Sequence, residues 1–132
     1  MNFGPHFIVV LVFIFFFDLL WLVTNTTFEW GLYYTLSSQE KDKSWPKFLR
    51  KAGLCLLCWS ISALYIVGHS YSSDANAFLE GMWLGSLVYG VFNLTTVAVM
   101  PSWSDTFYRP YVDTLWGTLL FGCAAVFSYG VL

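Results

Sequence analysis

Four apolar stretches dominate this chain, at about residues 7–28, 50–68, 77–100 and 111–132, each near the length that crosses a bilayer core. Inside hydrocarbon a backbone has no water to bond, so a run of roughly 20 apolar residues satisfies its N–H and C=O groups by forming a helix. Four such helices with short polar connections predict an all-α fold: an integral membrane four-helix bundle forming a single transmembrane domain over residues 1–132. Composition points the same way, with 58% hydrophobic and 11% charged residues, where soluble domains carry about 25% charged. So short a chain has little room for a separate soluble catalytic module. The first stretch has no basic segment before it and no small-residue cleavage site after it, so it reads as a retained helix rather than a signal peptide.

The connection at about 29–49 is polar and basic, and its Trp30, Tyr33, Tyr34 and Trp45 suit the headgroup level. Lys41, Lys43, Lys47, Arg50 and Lys51 lie in or beside it, and Arg109 lies in the third connection. Because Lys and Arg are retained on the cytoplasmic side, both termini are expected on the non-cytoplasmic side. The same residues can meet anionic lipid at about 1 kcal/mol each, or serve only to set topology. A net charge of −2 gives no reason to expect a nucleic-acid partner.

Asp18 sits inside the first span, where a carboxylate costs at least about 2.5 kcal/mol and needs a proton, a partner in the bundle or a water-filled cavity. Residues three, four and seven apart share a helical face. Trp21 and Asn25 therefore follow Asp18 on its face, while Tyr89, Asn93 and Thr96 line one side of the third span with Ser86. Trp116 and Gly117 follow Asp113 on the fourth. The pattern Asp-x-x-Trp thus occurs twice, at Asp18 to Trp21 and Asp113 to Trp116. At 1.5 Å per residue Asp18 lies ~14 Å and Asn93 about 10 Å from the inner boundary, so the three polar positions fall in the inner half of the bilayer. Each indole can donate to a carboxylate of its own helix or reach another helix. Asp113 can also be read as a first-turn acid favoured by the helix dipole, and Asp18 as a hydrogen-bonding post between helices.

Small residues mark close helix packing in lipid. The third span has Gly81-x-x-x-Gly85 and Ser86-x-x-x-Gly90, the fourth Gly117, Thr118-x-x-x-Gly122 and Ala124-x-x-x-Ser128. These surfaces serve either the interior of the bundle or contacts between protomers, and internal packing is the favoured use.

Phe17-Asp18-Leu-Leu-Trp21-Leu22, Val112-Asp113-Thr-Leu-Trp116-Gly117 and Tyr89-Gly-Val-Phe-Asn93-Leu-Thr95-Thr96-Val-Ala98 together resemble the motifs of a family of small four-span membrane proteins of unknown function, found in bacteria and large DNA viruses. Asn93 and Thr96 stand where the family pattern has Asp and Asn, removing a possible charge from the third span. The resemblance implies the four-span architecture and, through the viral members, a virion membrane component linked to a capsid.

Other motifs carry little. Cys55-Leu-Leu-Cys58 has redox-like spacing but lies in an apolar span, where small apolar packing is the simpler use. His6 and His69 fall near the outer boundary, where interfacial placement is favoured over a metal or proton role. No catalytic residue, metal site or cofactor is expected, and enzymatic activity is not. The leading expectation is a small structural or assembly protein held in the lipid bilayer of a viral inner membrane or a cellular membrane, bound to other proteins of a larger complex or to itself. The alternative is a small oligomeric transporter or proton-coupled carrier using Asp18, with Asn93, Thr96 and Asp113 along its path.

Overall fold

The computed structural model describes residues 3–28, 31, 44–99 and 108–131, and all of its regular structure is helical. The helices are α1 (Phe3–Thr27), α2 (Trp45–Gly68), α3 (Asp74–Val99) and α4 (Tyr108–Gly130). All four are long and apolar enough to cross a membrane, so the fold is that of a four-helix membrane bundle.

The helices start earlier than the apolar stretches, because first turns that are polar or aromatic fall outside an apolar run yet are helical all the same. The clearest case is α2, which begins at Trp45 behind Ser44, with a proline in its first turn whose fixed φ is already helical. Lys47 is therefore a helical residue rather than part of a loop ending at 49, and Arg50 and Lys51 are helical with it. Lys41 and Lys43 lie outside the described residues. Between α2 and α3 the chain turns within residues 69–73. There the Asn76 amide donates to Ser73 Oγ at 3.1 Å and the Ser72 amide to Asn76 Oδ1 at 3.1 Å, a reciprocal cap that satisfies donors at the helix start.

Helix α4 is central and touches the other three, and its most extensive contact is with α3. Half of its apolar window is buried (50%), against 17%, 22% and 17% for α1, α2 and α3. The core joins Val10 and Ile14 of α1, Trp59 and Ile66 of α2, Ala77 of α3 and Phe121 of α4. Phe16, Leu54, Trp83 and Leu94 face outward, as suits a surface solvated by lipid.

The α3–α4 contact is a backbone-to-backbone approach made possible by glycine. A Cβ on Gly81 would strike the Phe121 carbonyl oxygen and lie 2.8 Å from Gly122 Cα. One on Gly85 would strike the Gly117 carbonyl and lie 2.8 Å from Thr118 Cα. Gly117 lies under the Tyr89 ring, and a Cβ on Gly122 would sit 3.0 Å from Phe78 Cε2. These four glycines serve internal packing. Gly90 does not: a Cβ there meets nothing within 4 Å, so the Ser86-x-x-x-Gly90 pair is not a packing surface at its second residue. Ser86 itself bonds Thr118 across the seam, with 2.9 Å between their hydroxyl oxygens.

Candidate functional site

One carboxylate ties all four helices together. Asp18, on α1 and 5% exposed, accepts the Trp59 indole of α2 on Oδ2 at 2.7 Å. Its Oδ1 accepts the Tyr89 hydroxyl of α3 at 2.6 Å and the Trp116 indole of α4 at 3.1 Å. All three donors are neutral. A lone carboxylate in hydrocarbon survives only if its lone pairs are occupied, and here each neighbouring helix supplies one hydrogen.

Asp113 of α4 is fully buried, at 0% exposure. It accepts the Trp21 indole of α1 on Oδ1 at 3.0 Å and Asn93 Nδ2 of α3 on Oδ2 at 2.9 Å. Because α4 starts at Tyr108, Asp113 lies in its second turn, inside the bundle. It is not the first-turn acid that the shorter span would have made it.

Neither Asp-x-x-Trp pair bonds within its own helix. Trp21 reaches Asp113 and Trp116 reaches Asp18, and the two indoles stack between the carboxylates at 4.6 Å with 4° between their planes. The exchange follows from successive spans running in opposite directions. With α1 and α4 antiparallel, the carboxylate of one motif stands level with the indole of the other. Indole stacking adds a contribution beyond buried area. Double-mutant cycles should therefore give coupling of about 0.6–1.7 kcal/mol for Trp21–Asp113 and for Trp116–Asp18. Equal or larger coupling for the same-helix pairs Trp21–Asp18 and Trp116–Asp113 would show that the crossed arrangement does not hold in the membrane.

The remaining expected members sit at the edge of this centre. Asn93, 2% exposed, directs Nδ2 at the Tyr89 carbonyl (2.8 Å), Asp113 Oδ2 (2.9 Å) and Thr114 Oγ1 (3.0 Å). Asn25 Nδ2 donates to the Trp21 carbonyl of its own helix at 2.9 Å, and Thr96 Oγ1 to the Phe92 carbonyl at 2.8 Å. Neither bond reaches a carboxylate. Of the expected basic residues, Arg50 and Lys51 are exposed and Lys47 and Arg109 half-buried. The lysines and Arg50 sit at the N-terminal end of α2 and Arg109 at that of α4.

Two parts of the polar interior lie beyond the expectations from sequence. Trp59 is one, and its signal is an indole N–H in the middle of a span, which needs an acceptor. His6 is buried at 2% exposure rather than interfacial. Its Nε2 lies 3.0 Å from the Ser128 carbonyl and 2.9 Å from Ser128 Oγ, a second polar tie between α1 and α4. His69, by contrast, is on the surface beside Glu80, 3.8 Å away. Burial, with Glu80 and Tyr65 nearby, pushes the hydroxyl of the adjacent Tyr71 up to about 12, so it stays protonated and donates to the Ile66 carbonyl at 3.2 Å.

A family model described as "Predicted membrane protein (DUF2177)" matches residues 4–130, nearly the whole chain and every residue of the polar centre. The chain belongs to this family. No curated protein and no solved structure matches it. Within this DUF2177 protein the crossed carboxylate–indole pairs hold α1 to α4, and Trp59 and Tyr89 extend the same centre to α2 and α3. Among the described residues no cluster of His, Cys, Asp and Glu could hold a metal ion. The three cysteines are free thiols, Cys58 and Cys123 exposed and Cys55 half-buried.

Proposed function

We propose that this protein is a small structural or assembly component of a membrane, without enzymatic activity, embedded in a larger membrane-associated complex such as a virion membrane–capsid assembly. The observation that carries this reading is the saturation of Asp18. Its carboxylate accepts one hydrogen bond from each of the other helices, which suits a part that holds the bundle rigid. The basic residues at the starts of α2 and α4 then form one cytoplasm-facing side for partner or anionic lipid contacts, with both termini on the opposite side.

The test is gentle detergent extraction from the native source followed by crosslinking mass spectrometry. Reproducible crosslinks from Lys41, Lys43 or Lys47 to a larger protein are expected. A stable monomer carrying no partner, despite good lysine labelling, would count against the assembly role.

A second reading, a small oligomeric transporter or proton-coupled carrier, draws support from the groove that reaches Asn93 and Thr114 beside Asp113. Flux in liposomes that Asp18→Asn abolishes in folded protein would favour it. Unchanged flux would remove Asp18 from any such path.

A further inference from the structure

At the turn between α2 and α3 one imidazole is flanked by two phenol rings and a carboxylate. His69 caps the C-terminal end of α2, and its amide donates to the Ile66 carbonyl at 3.3 Å. Its ring stacks on Tyr65 of α2, with centroids 5.0 Å apart and 26° between the planes, and lies 5.7 Å from the Tyr71 ring of the turn at 32°. On the α3 side, Nε2 stands 3.8 Å from Glu80 Oε2. Asp74, in the first turn of α3, is a second acid at this end. Among the described residues no hydrogen bond or ion pair reaches His69 from α1 or α4, and Lys47, Arg50, Lys51 and Arg109 all lie at the opposite end of the bundle.

The charged form of the ring is the one these neighbours suit. A separation of 3.8 Å is too long for a hydrogen bond, so a neutral imidazole gains nothing from Glu80, whereas an imidazolium is attracted to it. The faces of Tyr65 and Tyr71 attract a cation, and so do the last carbonyls of a helix. We infer that His69 is a pH-sensitive clasp: one proton taken up by its ring ties the end of α2 to Glu80 of α3 and tightens the turn between them. The tie is present while the imidazole is charged and is lost as pH rises through its titration, in the range of about pH 5–8 where histidine changes charge. The clasp stands apart from the assembly reading, since the lysine crosslinks arise at the other end of the bundle and either can fail alone.

The test uses the full chain in phosphatidylcholine nanodiscs and hydrogen-exchange mass spectrometry of residues 66–77, with rates corrected for the intrinsic pH dependence of exchange. This segment includes the His69, Ser72 and Asn76 amides, each hydrogen-bonded at the turn. Both side chains reach water, at 39% and 42% exposure, so the pair is screened and the expected gain in protection from pH 8 to pH 5 is about threefold. His69→Gln is expected to abolish the gain and Glu80→Gln to reduce it, while residues 117–125 of α4 keep the same protection at both pH values. Equal protection of the turn at pH 5 and pH 8 would overturn the proposal. So would a gain that survives His69→Gln or that Glu80→Gln leaves at full size, and so would an equal gain in α4.

Discussion

Asp18→Ala is expected to lower the stability of the bundle by about 2–5 kcal/mol, three interhelical hydrogen bonds at roughly 0.6–1.7 kcal/mol each in a membrane interior. The bonds end on a single side chain, so one substitution strips the Trp59, Tyr89 and Trp116 donors of their acceptor together. The penalty is then set by three stranded donors rather than by the lost carboxylate. Asp18→Asn keeps one acceptor oxygen but turns an N–H₂ group toward either Trp59 or the Tyr89–Trp116 pair, so a smaller loss is expected. Unfolding titrations in mixed micelles, followed by tryptophan fluorescence, measure both. A loss under about 0.5 kcal/mol for the alanine variant, below what even one such bond contributes on average, would show that the bundle does not depend on this centre.

Gly85→Val should be the most damaging substitution among the glycines. Its side chain would meet the Gly117 carbonyl oxygen, with Gly117 C and Thr118 Cα each 2.8 Å from the new Cβ. These are backbone atoms of a helix and cannot turn aside as a rotamer would, so α3 and α4 must separate along the most extensive contact in the molecule. Overpacking of this kind costs about 1–3 kcal/mol or more, and here it also pulls on the Ser86–Thr118 bond across the seam. Gly90→Ala provides the contrast. It enters open space and should stabilise by about 0.4–1 kcal/mol through reduced freedom of the unfolded chain. The same micelle titration ranks the two, and equal effects would mean that the glycine seam is not where the helices meet.

The spacing of Gly81 and Gly85 identified the α3 seam from sequence, yet it also nominated Gly90, which faces the groove. Small residues every four positions mark a face of a helix, and whether a neighbour lies along its whole length depends on where the helices diverge. The polar centre shows the same division. Asp18, Trp21, Tyr89, Asn93, Asp113 and Trp116 could all be selected because a polar group in hydrocarbon must be satisfied, and they do converge. Their pairing could not be read, because each Asp-x-x-Trp motif offers an equally good local partner. Trp59 was within reach of the same argument, whereas the burial of His6 required knowing that α1 and α4 lie side by side at that end.

The order of apolar and polar residues is enough to dictate the four membrane helices and the polar residues that must find partners inside them. Both follow from a local demand, since backbone and side-chain hydrogen bonds have to be satisfied where water is absent. Packing of the bundle sets the rest: the carboxylate–indole pairs cross between α1 and α4, Asp18 is shared by four helices, and Asn93 is left one donor short. Those outcomes depend on the relative height and direction of neighbouring helices, which the packing of the whole bundle sets and no single span encodes.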